Sequence, residues 1–89
     1  MMLNEKDKTL IIECARKYGT EALYIFGSTL ESDHPRDLDL AVRGVKPELF
    51  FKFYGELLRK LSLPVDLIDL TEASPFSALV EAQGMKVYG

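Results

Sequence analysis

Eighty-nine residues provide for one domain, spanning residues 1–89, and exclude a second independent hydrophobic core. With 47% hydrophobic and 28% charged residues, and only six Gly and four Pro, the composition is that of a globular chain and not of a disordered or collagen-like one. Eleven Lys and Arg against fourteen Asp and Glu give a net charge of −3, which speaks against a binder of polymeric DNA or RNA, because such proteins draw their affinity from a basic face.

Leu3, Leu10, Ile11, Cys14, Ala15 and Tyr18 recur at helical steps with charge on the other side, which predicts a first helix over residues 3–18, stopped by Gly19. Residues 21–26 are mostly apolar and aromatic and predict a buried strand that ends at the Gly27-Ser28 corner. A polar segment with Glu31, Ser32, Asp33, His34 and Pro35 follows. The run Asp37-Leu38-Asp39-Leu40-Ala41-Val42 then opens with strict alternation, so Leu38 and Leu40 share one face of a second strand and both carboxylates share the other.

Pro47 suits the first position of a helix in which Phe50, Phe53, Tyr54, Leu57, Leu58 and Leu61 keep helical spacing. Arg59-Lys60 near its end favour the carbonyl pole. Residues 64–70 predict a third strand. Ser74 then caps a helix with Pro75 at its first position and Phe76, Leu79 and Val80 facing inward; Gly84 ends it, and residues 85–88 form a last short strand. Helices interleaved with strands predict an α/β (α+β) fold in two layers, a mixed sheet of three or four strands with helices packed on it.

The chemistry lies in Gly27-Ser28, in the Asp37-Leu38-Asp39 pair, and in Asp66 on the later strand. Taken alone, Asp-Leu-Asp-Leu is the solvated side of a half-buried strand, and Ser28 is a helix cap. Together they suggest more. Carboxylates at i and i+2 on one strand face can share a divalent cation, and a third from a neighbouring strand completes an oxygen site suited to Mg²⁺. Strand parity puts Asp66 and Asp69 on opposite faces, and Asp66 lies at the strand entrance, where Asp37 and Asp39 also lie if the strands are matched. Gly27 lets backbone approach a ligand, and Ser28 offers a hydroxyl and amides to a phosphate. An acidic metal site facing a phosphate grip suggests metal-assisted phosphoryl or nucleotidyl transfer.

At these residues the chain resembles the minimal nucleotidyltransferase family of the polymerase-β-like superfamily: a strand, Gly-Ser, a spacer, Asp-x-Asp and a third Asp on a later strand. The matching text is Tyr24-Ile25-Phe26-Gly27-Ser28, Asp37-Leu38-Asp39-Leu40-Ala41-Val42 and Val65-Asp66-Leu67-Ile68, and residues 81–88 are similar to the family's closing helix and strand. The resemblance implies a nucleotidyltransferase-like fold and Mg²⁺-dependent transfer of a nucleoside monophosphate, AMP from ATP, with release of pyrophosphate. It implies Asp37, Asp39 and Asp66 as the catalytic and metal-binding carboxylates, with Gly27 and Ser28 holding the nucleotide phosphates. It also implies a HEPN-domain partner protein, onto which such proteins can transfer AMP as antitoxins.

Two departures stand out. The spacer from Ser28 to Asp37 is short, and it carries Thr29, Leu30 and Glu31 where Arg and Gly often follow Gly-Ser in the family. Arg36 and Arg43 are the candidates for the positive charge a triphosphate needs. The departures motivate an alternative: a catalytically weak or inactive module that neutralises its partner by direct association. A homo-oligomer that deepens a shallow cleft is a further expectation.

Cys14 reads as a small buried hydrophobe, His34 as an exposed loop residue and Asp69 as a strand-end or turn carboxylate. The longest apolar run is residues 22–26, where a membrane span needs about 20 residues, and charges at residues 5–8 interrupt the stretch where a leader carries an apolar core. No membrane association and a cytoplasmic location are therefore expected.

Overall fold

The computed structural model describes residues 3–89; Met1 and Met2, the start of the stretch read against a leader, lie outside them. Along the described chain run α1 (Glu5–Lys17), β1 (Ala22–Ile25), α2 (Ser28–Glu31), β2 (Leu38–Arg43), α3 (Pro47–Lys60), β3 (Val65–Asp69), α4 (Pro75–Gln83) and β4 (Met85–Tyr88). The first helix begins later than periodicity predicts because Asn4 takes the cap, its side chain accepting the Asp7 N–H at 2.7 Å. Leu3 stays outside the helix yet still packs on the core. The second strand begins at Leu38, one residue inside the predicted start. Ser74 and Ser77 form a reciprocal capping box at the start of α4, with Pro75 behind the cap as predicted.

The four strands form one mixed sheet in the order β3-β2-β1-β4. β1 pairs antiparallel with both β2 and β4, whereas β2 and β3 run parallel, a pairing that needs a crossover, and α3 supplies it. Alternation along the strands sends Leu23, Ile25, Leu38, Leu40, Val42, Val65 and Leu67 to one face, against Ile11 and Cys14 of α1 and Phe53 and Leu57 of α3. Phe53 is fully buried and meets Tyr18 at a ring-centroid distance of 5.3 Å. Burial of a side chain of this size contributes about 1.5–3 kcal/mol.

α1 and α3 are also joined by polar groups. The buried carboxylate of Glu56 accepts hydrogen bonds from Lys17, Tyr18 and Lys60, each at 2.9 Å, and from the Cys14 thiol at 3.3 Å. Lys17 and then Lys60 hold its carboxyl well below the usual carboxylate range, against the opposing effect of burial. Burial first, and then the bond to Glu56, push the Cys14 thiol up to about 11. Buried Asp7 accepts from both the backbone N–H and the hydroxyl of Ser62, so α1 is fixed to the segment after α3 as well.

The opposite face carries a smaller cluster of Ala22, Tyr24, Ala41, Leu70 and Val80 under α4, which an Arg43–Glu81 ion pair ties to β2. Here one expectation needs correction. Of the three residues predicted to face inward from α4, only Val80 is buried; Phe76 and Leu79 stay half exposed. They line a groove whose other wall is α2, and α2 is a single turn, too short to close over them. Gly84 does end α4, by close approach rather than by a left-handed turn: a Cβ there would stand 2.5 Å from the Val80 carbonyl oxygen and 3.0 Å from that of Ile25. Among the described residues no helix is long and apolar enough to cross a membrane.

Candidate active site

β1 runs into Gly27 with its ladder extended by one bond, Phe26 N–H to the Asp39 carbonyl at 3.0 Å. Gly27 then turns with φ +63°, a conformation in which an L side chain is strained, and a Cβ there would lie 3.1 Å from Asp39 Oδ2. The glycine therefore does two things, reversing the chain and letting it pass against a carboxylate.

The next two residues hold that carboxylate in place. Ser28 Oγ donates to Asp39 Oδ2 at 2.9 Å. Thr29, fully buried, accepts the Asp39 N–H at 2.7 Å and donates to the Asp37 carbonyl at 3.1 Å. One hydroxyl thus pins the backbone on both sides of Leu38. Thr29 is the residue of this corner that sequence reasoning misses, because in the sequence it stands only as a departure from a family pattern. The available signal was a hydroxyl residue following Gly-Ser at the mouth of a strand, a type that readily bonds to nearby backbone.

Asp39 and Asp66 are direct register partners in the parallel β2–β3 pair, on adjacent strands about 4.8 Å apart. Both belong to the face that carries α4, since Leu38, Leu40, Val65 and Leu67 go to the α1/α3 core. Asp37 lies just before β2, exposed, and lines a polar pocket of about 300 Å³ with Ser28, Ser32, His34, Pro35 and Arg36. Asp69 stands apart from them. It closes a turn by accepting from the Thr71 N–H at 2.9 Å, as its place at a strand end predicts.

The Gly27-Ser28 corner separates two cavities of different character. On one side is the apolar groove of about 460 Å³ lined by Phe26, Gly27, Leu30, Phe76, Leu79 and Val80, with Phe26 and Phe76 edge to face at 6.2 Å. On the other is the polar pocket. Glu31 belongs to the wall of the apolar groove and not to that of the polar pocket.

Asp37, Asp39 and Asp66 offer only oxygen donors, the chemistry Mg²⁺ takes. Among the described residues no three acidic, His or Cys side chains already form a metal cage. Mg²⁺ at nucleotide sites does not need one, because it binds through one or two carboxylates completed by substrate phosphates and water. The donor set fits that mode.

Residues 8–89 match the family described as Polymerase beta, Nucleotidyltransferase. The chain belongs to this family. Among solved structures, this chain is similar to a chain from a toxin–antitoxin crystal structure with AMP-PNP, at 28% identity and a TM-score of 0.74, over 92% of its own length and 73% of the other chain. A mutant of the MntA–HepT toxin–antitoxin matches at 29% identity and a TM-score of 0.75, over 99% and 74% of the two chains. A third match, at 27% identity and a TM-score of 0.70, over 93% and 70%, comes from a tri-AMPylated Shewanella oneidensis HEPN toxin in complex with an MNT antitoxin. No curated protein matches the sequence. The chain thus has the nucleotidyltransferase-like fold of the MNT antitoxins in such pairs, and the mixed four-stranded sheet with packed helices agrees with the fold expected from its sequence.

Proposed function

We propose that this chain is a Mg²⁺-dependent nucleotidyltransferase that moves AMP from ATP onto a hydroxyl of a HEPN-type partner protein and acts as its antitoxin. The observation that carries this reading is the register of Asp39 against Asp66 on one sheet face, with Ser28 bonded to Asp39 beside them. Asp37 and Asp39 would hold Mg²⁺ with Asp66, and the bound ion would withdraw charge from the triphosphate. The likeness to toxin–antitoxin structures, one of them with AMP-PNP and one with an AMPylated toxin, supports both the nucleotide and the partner class.

In the reaction, the acceptor hydroxyl oxygen forms a bond to the α-phosphorus and the bond from that phosphorus to the β-bridging oxygen breaks. The hydroxyl proton passes to the Asp66 carboxylate, and the electron pair leaves with pyrophosphate. Asp66 suits the role of base because it is exposed at the strand entrance, within reach of an incoming partner. The apolar groove beside Gly27 takes the nucleoside, and the polar pocket beside Ser28 takes the phosphates.

A second reading, in which the module neutralises its partner by covering it without catalysis, has one observation in its favour. Phe51, Leu58, Phe76, Leu79 and Met85 are all at least 40% exposed, an apolar supply beyond what a nucleotide needs. One experiment separates the two. The wild type and Asp37→Asn/Asp39→Asn are incubated with the HEPN partner, Mg²⁺ and labelled ATP, and label transfer and partner activity are both followed. Label on the partner with the wild type alone, together with loss of neutralisation in the variant, supports catalysis. Neutralisation that survives in the variant supports covering.

A further inference from the structure

Resting on the nucleotidyl-transfer reading, we infer that Arg36, seconded by His34, is the positioning cation for the β- and γ-phosphates, and so for the departing pyrophosphate. A triphosphate beside three carboxylates needs positive charge from the protein as well as from the metal. The apolar groove has no Lys or Arg in its wall. The polar pocket has Arg36 and His34, both exposed, in its lining together with Ser28 and Asp37.

Arg43, the other candidate by sequence, is occupied. Its guanidinium pairs with Glu81 of α4, and it sits at the opposite end of β2 from Asp37 and Asp39. Arg36 forms no ion pair with the other described residues. The loop that carries it is shaped locally, with the His34 N–H bonded to Ser32 Oγ at 3.0 Å, which holds His34 and Ser32 on one pocket wall. Glu31, the acid that would repel phosphate, lines the other cavity and not this one. The pocket therefore combines a hydroxyl donor, a forked cation and an imidazole beside the carboxylate expected to hold metal, which suits a polyphosphate better than a single phosphate.

The test is calorimetric binding of ATP, AMP and inorganic pyrophosphate, each with Mg²⁺, to the wild type and to Arg36→Ala, Arg36→Lys and His34→Ala. Arg36→Ala is expected to weaken ATP and pyrophosphate about tenfold and AMP by less than about twofold, since a charge-assisted contact is worth of the order of one decade. Arg36→Lys should recover part of the loss, keeping the charge without the fork, and His34→Ala should show a smaller loss of the same selectivity. Thermal unfolding of each variant checks that these exposed substitutions leave the fold intact. ATP binding unchanged in Arg36→Ala, or ATP and AMP weakened in equal proportion, overturns the assignment while leaving the nucleotidyltransferase reading in place. Folded wild type that binds no ATP overturns both.

Discussion

On the face of the sheet covered by α1 and α3, the buried charges are matched: Glu56 takes four donors, and Asp7 takes the backbone and hydroxyl of Ser62. On the other face, Asp39 takes only neutral hydroxyls, Ser28 at 2.9 Å and Thr29 at 3.4 Å, and has Asp66 as a neighbour of its own sign, while Phe76 and Leu79 of α4 remain half exposed. Carboxylates of like sign destabilise one another when placed side by side, and a chain under selection for stability alone would not align them. The difference locates two tasks. One face makes the domain fold; the other keeps neighbouring carboxylates and open apolar surface, on which the proposed binding of a cation, a nucleotide and a partner rests.

That division can be broken from either side. Asp37→Asn/Asp39→Asn should lower AMP transfer by at least about 10³, while the melting temperature moves by no more than about 2 °C, measured by label transfer and thermal unfolding on one preparation. A large stability loss in this variant would end the separation of tasks. Phe53→Ala should cost about 3–5 kcal/mol in chemical denaturation, because the ring is fully buried between helix and sheet, whereas Phe76→Ala should cost less than about 1 kcal/mol. Equal losses would mean that the α4 face contributes to the core as strongly as the α3 face does.

Glu56→Gln tests the polar part of the stable face, and should cost about 2 kcal/mol at pH 7, since a buried carboxylate loses its charge while its donors stay. The sign of the pH dependence follows from the lowered carboxyl. Glu56 keeps its charge in the fold below the ordinary value of 4.5, so its contribution is complete above about pH 4.5 and is lost as pH falls through the depressed folded value. Wild type and variant should therefore converge in stability as the solution is acidified below pH 4.5, in denaturation curves collected at a series of pH values. A constant gap down to strongly acid pH would show that Glu56 acts by shape and not by charge.

The sequence carried the element order because each signal was local. Pro47 and the apolar stripe of α3, the Ser74-Pro75 start of α4 and the alternation of Leu38 and Leu40 act within a few residues. Asp37, Asp39 and Asp66 were legible as candidates by strand parity and matched ends, and the structure places Asp39 against Asp66 in register. What stayed hidden needed partners distant in sequence. The stripe of α4 marked Phe76 and Leu79 as apolar but gave no sign that α2, their facing element, was a single turn. Glu56 lies on an otherwise ordinary helix, and nothing local shows that Cys14, Lys17 and Tyr18 of the first helical segment converge on it.

A small effect on stability is also expected where the two faces meet the chain's own turn. Thr29 is fully buried, yet it supports the open face, since its hydroxyl takes the Asp39 N–H and binds the Asp37 carbonyl. Thr29→Val keeps the shape and removes the hydroxyl, leaving one buried N–H without a partner, and should cost about 1 kcal/mol in denaturation. Its effect on transfer should exceed what that loss of stability explains, because the Asp37 and Asp39 backbone is released at the point where both side chains must be aimed. Thr29→Ser, which keeps the hydroxyl, should restore transfer even though it removes a methyl group from the packing. If Val and Ser variants transfer AMP equally well, the hydroxyl is a fold support only, and the acid pair owes its placement to the β2 register alone.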